Sequence, residues 1–277
     1  MTGAEGFVEV AARVYVLRYP VLDVNVTLVV GDGAALLVDT LSTEDQAGEL
    51  RDAVRRVTAA PLRVVNTHHH FDHCFGNAVL ADADTEIWAA AETARLLRER
   101  GEALRREWYT EWAPTHPDLA DGLAAARLRP PDHTVHVEST VDIGGRPVVL
   151  RHLGRGHTAG DLVVHIPDAD AVVAGDLVEE GGPPMFGDAY PLDWPATVAA
   201  LVALTGAATA IVPGHGAVVD RAFVQAQHAE LTALEWLIRD GHADRRPQAD
   251  VVAKAPFGPQ IAAVAVARGY AELSGRV

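Results

Sequence analysis

The sequence predicts an α/β fold, and three observations carry that prediction. Short apolar, β-branched runs recur along the chain, segments of helical periodicity separate them, and four of the runs lead directly into histidine or aspartate. With 277 residues the chain can bury a full core, as one large domain or two modest ones.

The elements follow in order. RVYVL (13–17), NVTLVV (25–30) and AALLVD (34–39) read as strands, and GDG at 31–33 joins the last two as a hairpin. Ser42 or Thr43 caps a helix to about residue 57, with Ala47, Leu50, Val54 and Val57 on one face. LRVV (62–65) is a short buried strand that runs straight into NTHHHFDHCFGN (66–77), where positions 68–73 hold four histidines and an aspartate. Residues 88–128 read as polar helix, with REWYTEW (106–112) in the middle. Strands resume at HTVHV (133–137), PVVLRHL (147–153), DLVVHI (161–166) and AVVAGD (171–176), the last two split by the turn PDAD. A helix follows over 194–204, and TAIVPGHG (209–216) is a strand that stops at a glycine-flanked histidine. Residues 222–239 form an amphipathic helix with Val224, Leu231, Leu234, Leu237 and Ile238 apolar, and a final helix lies in the last 30 residues. The whole is expected to be one domain over 1–277, with a helical insertion at about 88–130 and a C-terminal helical segment at about 244–277.

A formal charge of −15 argues against nucleic acid or anionic membrane as a partner, since both require basic patches. The N-terminal stretch lacks the basic start and apolar core of a signal peptide, and no apolar run is long enough to span a bilayer. The single cysteine, Cys74, rules out an internal disulfide framework and is expected to be a small buried apolar residue. The expectation is a cytoplasmic protein acting on a small-molecule substrate, with no nucleic-acid or membrane partner; its oligomeric state is left open.

The strand ends carry the chemistry. Run 62–65 ends in the histidine cluster, run 147–153 leads to GRGHTAGD, run 171–175 ends in Asp176, and run 209–212 leads to PGHG. Strands of common orientation gather such residues at one edge of a sheet, where rigid ends meet adaptable loops. Seven candidate metal ligands result: His68, His70, Asp72, His73, His157, Asp176 and His215. Imidazole nitrogen and carboxylate oxygen suit zinc, and also iron or manganese. Seven ligands are too many for one tetrahedral ion and about right for two, which share bridging groups at a separation of about 3.5–4 Å. His69 alternates with the ligands and is expected to point away from them. No G-x-S-x-G elbow is present to support a serine nucleophile.

The pattern His-x-His-x-Asp-His, here His68, His70, Asp72 and His73, resembles the signature of the metallo-β-lactamase superfamily. His157 in GHTAGD, Asp176 in AGD and His215 in PGHG match its later elements in order, and Asp39 in VDT resembles its early strand-end aspartate, which supports the site. The resemblance covers about residues 10–240. It implies the αββα sandwich of two mixed sheets with helices outside. It implies that His68, His70 and His157 bind one ion, that Asp72, His73 and His215 bind a second, and that Asp176 bridges them as in glyoxalase II. The cofactor implied is a pair of Zn2+ ions. The activity implied is hydrolysis of a small ester, thioester, lactone or β-lactam by a metal-bound hydroxide, which Asp72 orients. An iron-dependent oxidoreductase on the same fold and a non-catalytic binding protein stand as alternatives. The loop EEGGPPMFGDAYPLDW (179–194) follows Asp176 at the mouth of the site, and Met185, Phe186 and Tyr190 are its expected substrate contacts.

Overall fold

The structure, a computed structural model, describes residues 6–276. One half of its sheet holds β1 (Val8–Ala11), β2 (Val14–Tyr19), β3 (Val24–Val30), β4 (Ala35–Val38), β5 (Leu62–Val65), β6 (Ile87–Ala90) and β7 (His133–Val135). The other half holds β8 (Glu138–Asp142), β9 (Pro147–Arg151), β10 (Val163–Ile166), β11 (Ala171–Glu179) and β12 (Ala210–His215). Between them run α1 (Glu44–Val57), the single turns α2 (Phe71–Cys74) and α3 (Asn77–Leu80), α4 (Ala91–Trp112) and α5 (Pro117–Ala125). Later in the chain come α6 (Trp194–Ala203), α7 (Arg221–Ala243), α8 (Gln248–Val252) and α9 (Pro259–Leu273).

The strands pair in the order β7-β6-β5-β4-β3-β12-β11-β10-β9-β8, with β2 and then β1 added beside β3. Pairing is parallel from β4 to β7 and between β11 and β12, and antiparallel elsewhere. The two halves are joined through one register pair, His215 with Val24. They are therefore two mixed sheets hinged at a corner, and the corner is occupied by a candidate ligand.

Side-chain alternation along the strands builds three cores. Leu36 and Val38 of β4 meet Ala171 and Val173 of β11 in a core between the half-sheets. The intervening Ala35 and Leu37 face outward onto Ala47, Leu50, Ala53 and Val54 of α1, whose first turn is capped by Thr43 accepting from the Gln46 amide. Val172 and Ala174 face the opposite way, onto Val198 and Leu201 of α6, Leu231 and Leu234 of α7, and Ala265 of α9. Helix, sheet, sheet and helix thus stack in that order, the αββα sandwich.

Two local departures from expectation position the site. Residues 87–90 are strand β6, parallel to β5 and β7, and helix begins only at Ala91. Four residues are too few for alternation to register beside a 22-residue helix. Strand β11 also continues past Asp176 to Glu179. Gly175 takes φ +55°, and the register with β12 shifts on both sides of it, so the strand bulges and re-aims Asp176.

Candidate metal centre

All seven expected ligands converge at the edge where β5, β11 and β12 end. His68 and His70 lie in the link after β5, Asp72 and His73 share the turn α2, and His157 sits in the loop after β9. Asp176 is in the bulge of β11, and His215 is the last residue of β12. They fall into two groups, His68–His70–His157–Asp176 and Asp72–His73–His215, each with potential ligand atoms within 4.8 Å of one another.

Asp176 touches both groups. Its Oδ2 lies 3.3 Å from His157 Nε2, 3.6 Å from His68 Nε2 and 3.3 Å from His215 Nε2, and its Oδ1 lies 3.2 Å from His73 Nε2. Asp72 Oδ2 is 3.5 Å from His215 Nε2 and 3.6 Å from His73 Nε2. Gly214 makes the close approach possible, because a Cβ there would stand 1.7 Å from Asp176 Oδ1.

The donor set fits a cation on its own chemistry. His68 Nε2 and Asp176 Oδ1 are buried with no hydrogen-bond partner among the described residues. Such orphaned atoms are rare and call for a partner. The outward ring nitrogens are mostly engaged, which fixes tautomers that turn lone pairs inward. His73 Nδ1 donates to Asp39 Oδ2 at 2.8 Å, and His215 Nδ1 donates to the Leu22 carbonyl at 2.7 Å. His68 Nδ1 donates to Thr67 Oγ1 at 3.0 Å, which donates to Asp39 at 2.8 Å. His70 Nε2 donates to Asp188 Oδ1 at 3.1 Å. As a result His70 Nδ1 faces His157 Nε2 at 3.0 Å, and His73 Nε2 faces His215 Nε2 at 3.4 Å. Two inward lone pairs at such distances need a cation or a proton between them. Asp39 itself is held at φ +69°, a strained setting for a non-glycine residue that persists because three hydrogen bonds, two from Thr67 and one from His73, fix its carboxylate.

Electrostatics shows what the protein does with that need when only protons are available. Burial pushes His68 well below the ordinary imidazole value and His157 down to about 4, so both are neutral at pH 7. Burial also acts on His70, His73 and His215, but carboxylates outweigh it. Asp188, aided by Asp72 and Asp176, raises His70 to about 9, Asp176 raises His215 to about 10, and Asp176, Asp72 and Asp39 raise His73 strongly. These three imidazoles carry protons at neutral pH, and a cation must displace them. Metal binding at pH 7 is expected to release about three protons per chain. Apparent affinity should climb as pH rises through the values of His70 and His215. Calorimetry in buffers of different ionisation enthalpy measures the release, and an enthalpy independent of buffer would refute it.

Three neighbours carry roles beyond the motif. Asp188 bonds His70 and also lies 3.2 Å from His69 Nε2, so His69 turns toward the site, contrary to strict alternation. The link after β5 is not extended strand, so period two does not apply there. Glu179 is buried with Oε1 3.7 Å from His157 Nδ1 and accepts from the Met185 amide at 3.3 Å; burial and Asp176 push its carboxyl up to about 8. Asp188 is held in turn by α9, where Arg268 donates to the Asp188 and Ala189 carbonyls at 3.0 Å each. No spacing rule marks Asp188; the available signal was an acid in the Gly/Pro-rich loop that follows Asp176, where Glu179, Glu180 and Asp193 are acids too. Asp188→Asn is expected to weaken metal binding by about 10–100-fold while the protein stays folded, because the His70 ring loses its charged partner. Metal titration checks this, and unchanged affinity would leave Asp188 without an orienting role.

A cavity of about 670 Å³ opens over the ligands. Of the three expected substrate contacts, Met185 lines it and is 52% exposed. Phe186 does not; it is buried against Trp194 and Phe257. Tyr190 is also outside the lining, its ring held between the guanidiniums of Arg155 and Arg268 at 4.2 and 5.6 Å. Apolarity sent one ring to the core, and two cations captured the other. Cys74 is buried, its thiol donating to the His69 and His70 carbonyls, and burial pushes it well above the usual thiol range. Thr158 and Asn77 brace loops: Thr158 donates to Asp161, and Asn77 donates to Asn66 and the Arg129 carbonyl.

This fold and this edge of histidines and aspartates define an α/β protein built to hold metal ions. The model of the metallo-beta-lactamase superfamily matches residues 19–215, and the chain belongs to that superfamily. It is 26% identical over 184 residues to metallo-beta-lactamase IND-1 of Chryseobacterium indologenes, covering 65% of this chain and 66% of that protein. It is 29% identical over 125 residues to the acyl-coenzyme A thioesterase MBLAC2 of Gallus gallus, covering 44% of this chain and 43% of that protein. The chain thus spans less than two thirds of the length of these curated relatives. Among solved structures, a metallo-beta-lactamase from Pontibacter korlensis superposes with a TM-score of 0.66 at 21% identity, covering 83% of this chain and 99% of that one, a likeness of fold. No described helix is long and apolar enough to cross a membrane.

Proposed function

We propose that this chain is a dinuclear zinc-dependent hydrolase that cleaves a carbonyl–heteroatom bond in a small ester, thioester, lactone or β-lactam. The observation that carries the reading is Asp176, whose two oxygens reach imidazoles of both ligand groups at the floor of an open cavity. His68, His70 and His157 would hold one ion, Asp72, His73 and His215 the other, and Asp176 both. When bound, two dications bring the pKa of water down from about 15.7 to near 7, so that a nucleophile exists at neutral pH, and they polarise the carbonyl.

The chain's own groups do the rest. Neither oxygen of Asp72 enters a hydrogen bond among the described residues, and Oδ2 faces His73 and His215. Oδ1 is therefore available to accept the proton of the attacking water and hold it in line. Asp39, Thr67, Asp188 and the Leu22 carbonyl keep the ring tautomers fixed, so no reorganisation is needed at the moment of reaction. The names of the two curated relatives, a β-lactamase and an acyl-coenzyme A thioesterase, support a carbonyl substrate.

Elemental analysis of purified protein, paired with a panel of nitrocefin, a lactone and an acyl thioester, tests the reading. About two zincs per chain with turnover of any member is the expected result. Iron with an inert panel would overturn it in favour of redox chemistry on the same fold.

A further inference from the structure

The walls of the cavity narrow the substrate class, an inference that rests on the hydrolase reading. One wall is a single face of α4: Leu104, Glu107, Trp108, Glu111 and Trp112 recur at helical spacing and all line the cavity. Trp108 stands 6.1 Å, ring to ring, from the ligand His70, so the aromatic wall begins at the metal floor. Above it the lining is acidic. Among the described residues no Lys or Arg lines the cavity. Of the carboxylates that do, Glu107 is paired with Arg100 and Asp23 with Arg18. Glu111, on α4, and Glu180, just after β11, make no ion pair among the described residues, and Glu180 accepts from the Ala217 amide at 2.6 Å. Asp176 lies beneath them, buried, with Oδ1 unpartnered and both its oxygens turned to the ligand imidazoles.

A cleft lined by one sign of charge concentrates ligands of the other sign. Tryptophan faces bind cations in their own right, and an adjacent carboxylate adds to that pull. With dications on its ligands the floor is positive, whereas the mouth stays negative. A substrate that suits both ends places its carbonyl oxygen down and a positive group up, on an apolar body that fills the space between. We infer that the cavity selects an ester, thioester or lactone whose tail is apolar and carries a positive charge distal to the scissile carbonyl, with Trp108, Trp112 and Glu111 as the determinants. A distal carboxylate meets like charge, with no Lys or Arg among the described lining residues to receive it.

The test uses 4-nitrophenyl esters of one aryl-propanoic acid that differ only at the far para position: trimethylammonium, its neutral isostere tert-butyl, or carboxylate. The leaving group is the same throughout, so kcat/KM reports the tail. The expected order is trimethylammonium, tert-butyl, carboxylate, each step about fivefold, narrowing as salt rises. Glu111→Gln should lower the trimethylammonium to tert-butyl ratio by about threefold or more. An equal or inverted order, or a ratio untouched by Glu111→Gln, overturns the inference while leaving the hydrolase reading in place. Calorimetric binding of phenyltrimethylammonium against its neutral isostere tert-butylbenzene, neither of which can ligate a metal, decides the same point without turnover. Preference for the cation supports the inference even where every ester is inert, a result that would count against the hydrolase reading alone; equal binding or preference for tert-butylbenzene overturns the inference.

Discussion

Replacing His70 by alanine is expected to abolish metal-dependent turnover and leave a folded protein. The ring sits between the site and its support, Nδ1 facing His157 Nε2 at 3.0 Å and Nε2 donating to Asp188 at 3.1 Å. Its loss removes one of three imidazoles from the first group and unties the loop acid that orients it. Turnover should fall by on the order of 10³-fold or more, since loss of even one preorganised donor costs about 10²–10³. Stability should move little. The His70 side chain is 21% exposed and that of Asp188 is 45% exposed, so no cavity forms in a core and the freed carboxylate stays hydrated. The second group keeps Asp72, His73 and His215, and one equivalent of metal should still bind. Steady-state kinetics, a thermal melt and metal titration together read this. Turnover equal to the parent's would sink the site assignment; a melted protein would mean that His70 is structural, and His70→Asn would then separate ring loss from packing loss.

Much of this architecture was legible because the sequence states it at single residues. The runs 34–39, 62–65 and 209–212 are β-branched or leucine-rich and bounded by turn residues, and each is a strand whose end leads to the site. Thr43 and the apolar stripe of α1 announce a capped, half-buried helix. The seven ligands could be named from motif order, and the structure brings all seven to one edge. What was not legible depends on long-range contact. Asp188 lies 118 residues from His70 and reaches it only because Arg268 of the last helix grips the loop backbone. Phe186 and Tyr190 share a loop with Met185, yet one fills the core and the other stacks between guanidiniums, a partition that no local pattern encodes. The bulge at Asp176 needs Gly175 at positive φ beside β12, and a run of apolar letters does not show where a ladder slips. The face of α4 was visible as aromatic and acidic residues; that it lines a cavity was not.

Asp176→Asn is expected to weaken both metal sites together. Among the described residues the carboxylate is the one acid within 3.6 Å of imidazole nitrogens from both groups, and it packs against the glycine at 214. Asparagine keeps the shape but removes the negative charge and turns one acceptor into a donor, which opposes a cation. Each affinity should fall by more than about 100-fold, the upper figure for losing a merely supporting group. The metal-free protein supplies an independent readout. Burial pushes the Asp176 carboxyl upward, but His73, His215, His68 and His157 hold it well below the usual carboxylate range, and it holds His215 up at about 10 in return. Without it, His215 and His73 should titrate at lower pH by NMR. The depressed carboxylate stabilises the fold above its ordinary value and that contribution disappears as pH falls through its folded value, so the variant should lose stability at pH 7 and differ little from the parent in strong acid. Gly214→Ala approaches the same atom by another route, since its new Cβ would stand 1.7 Å from Asp176 Oδ1 and must drive the carboxylate out of place. Both variants should lose the two metals in parallel. Loss of one metal with the other retained at parental affinity, in either variant, would show that Asp176 serves one ion and that the two groups bind independently.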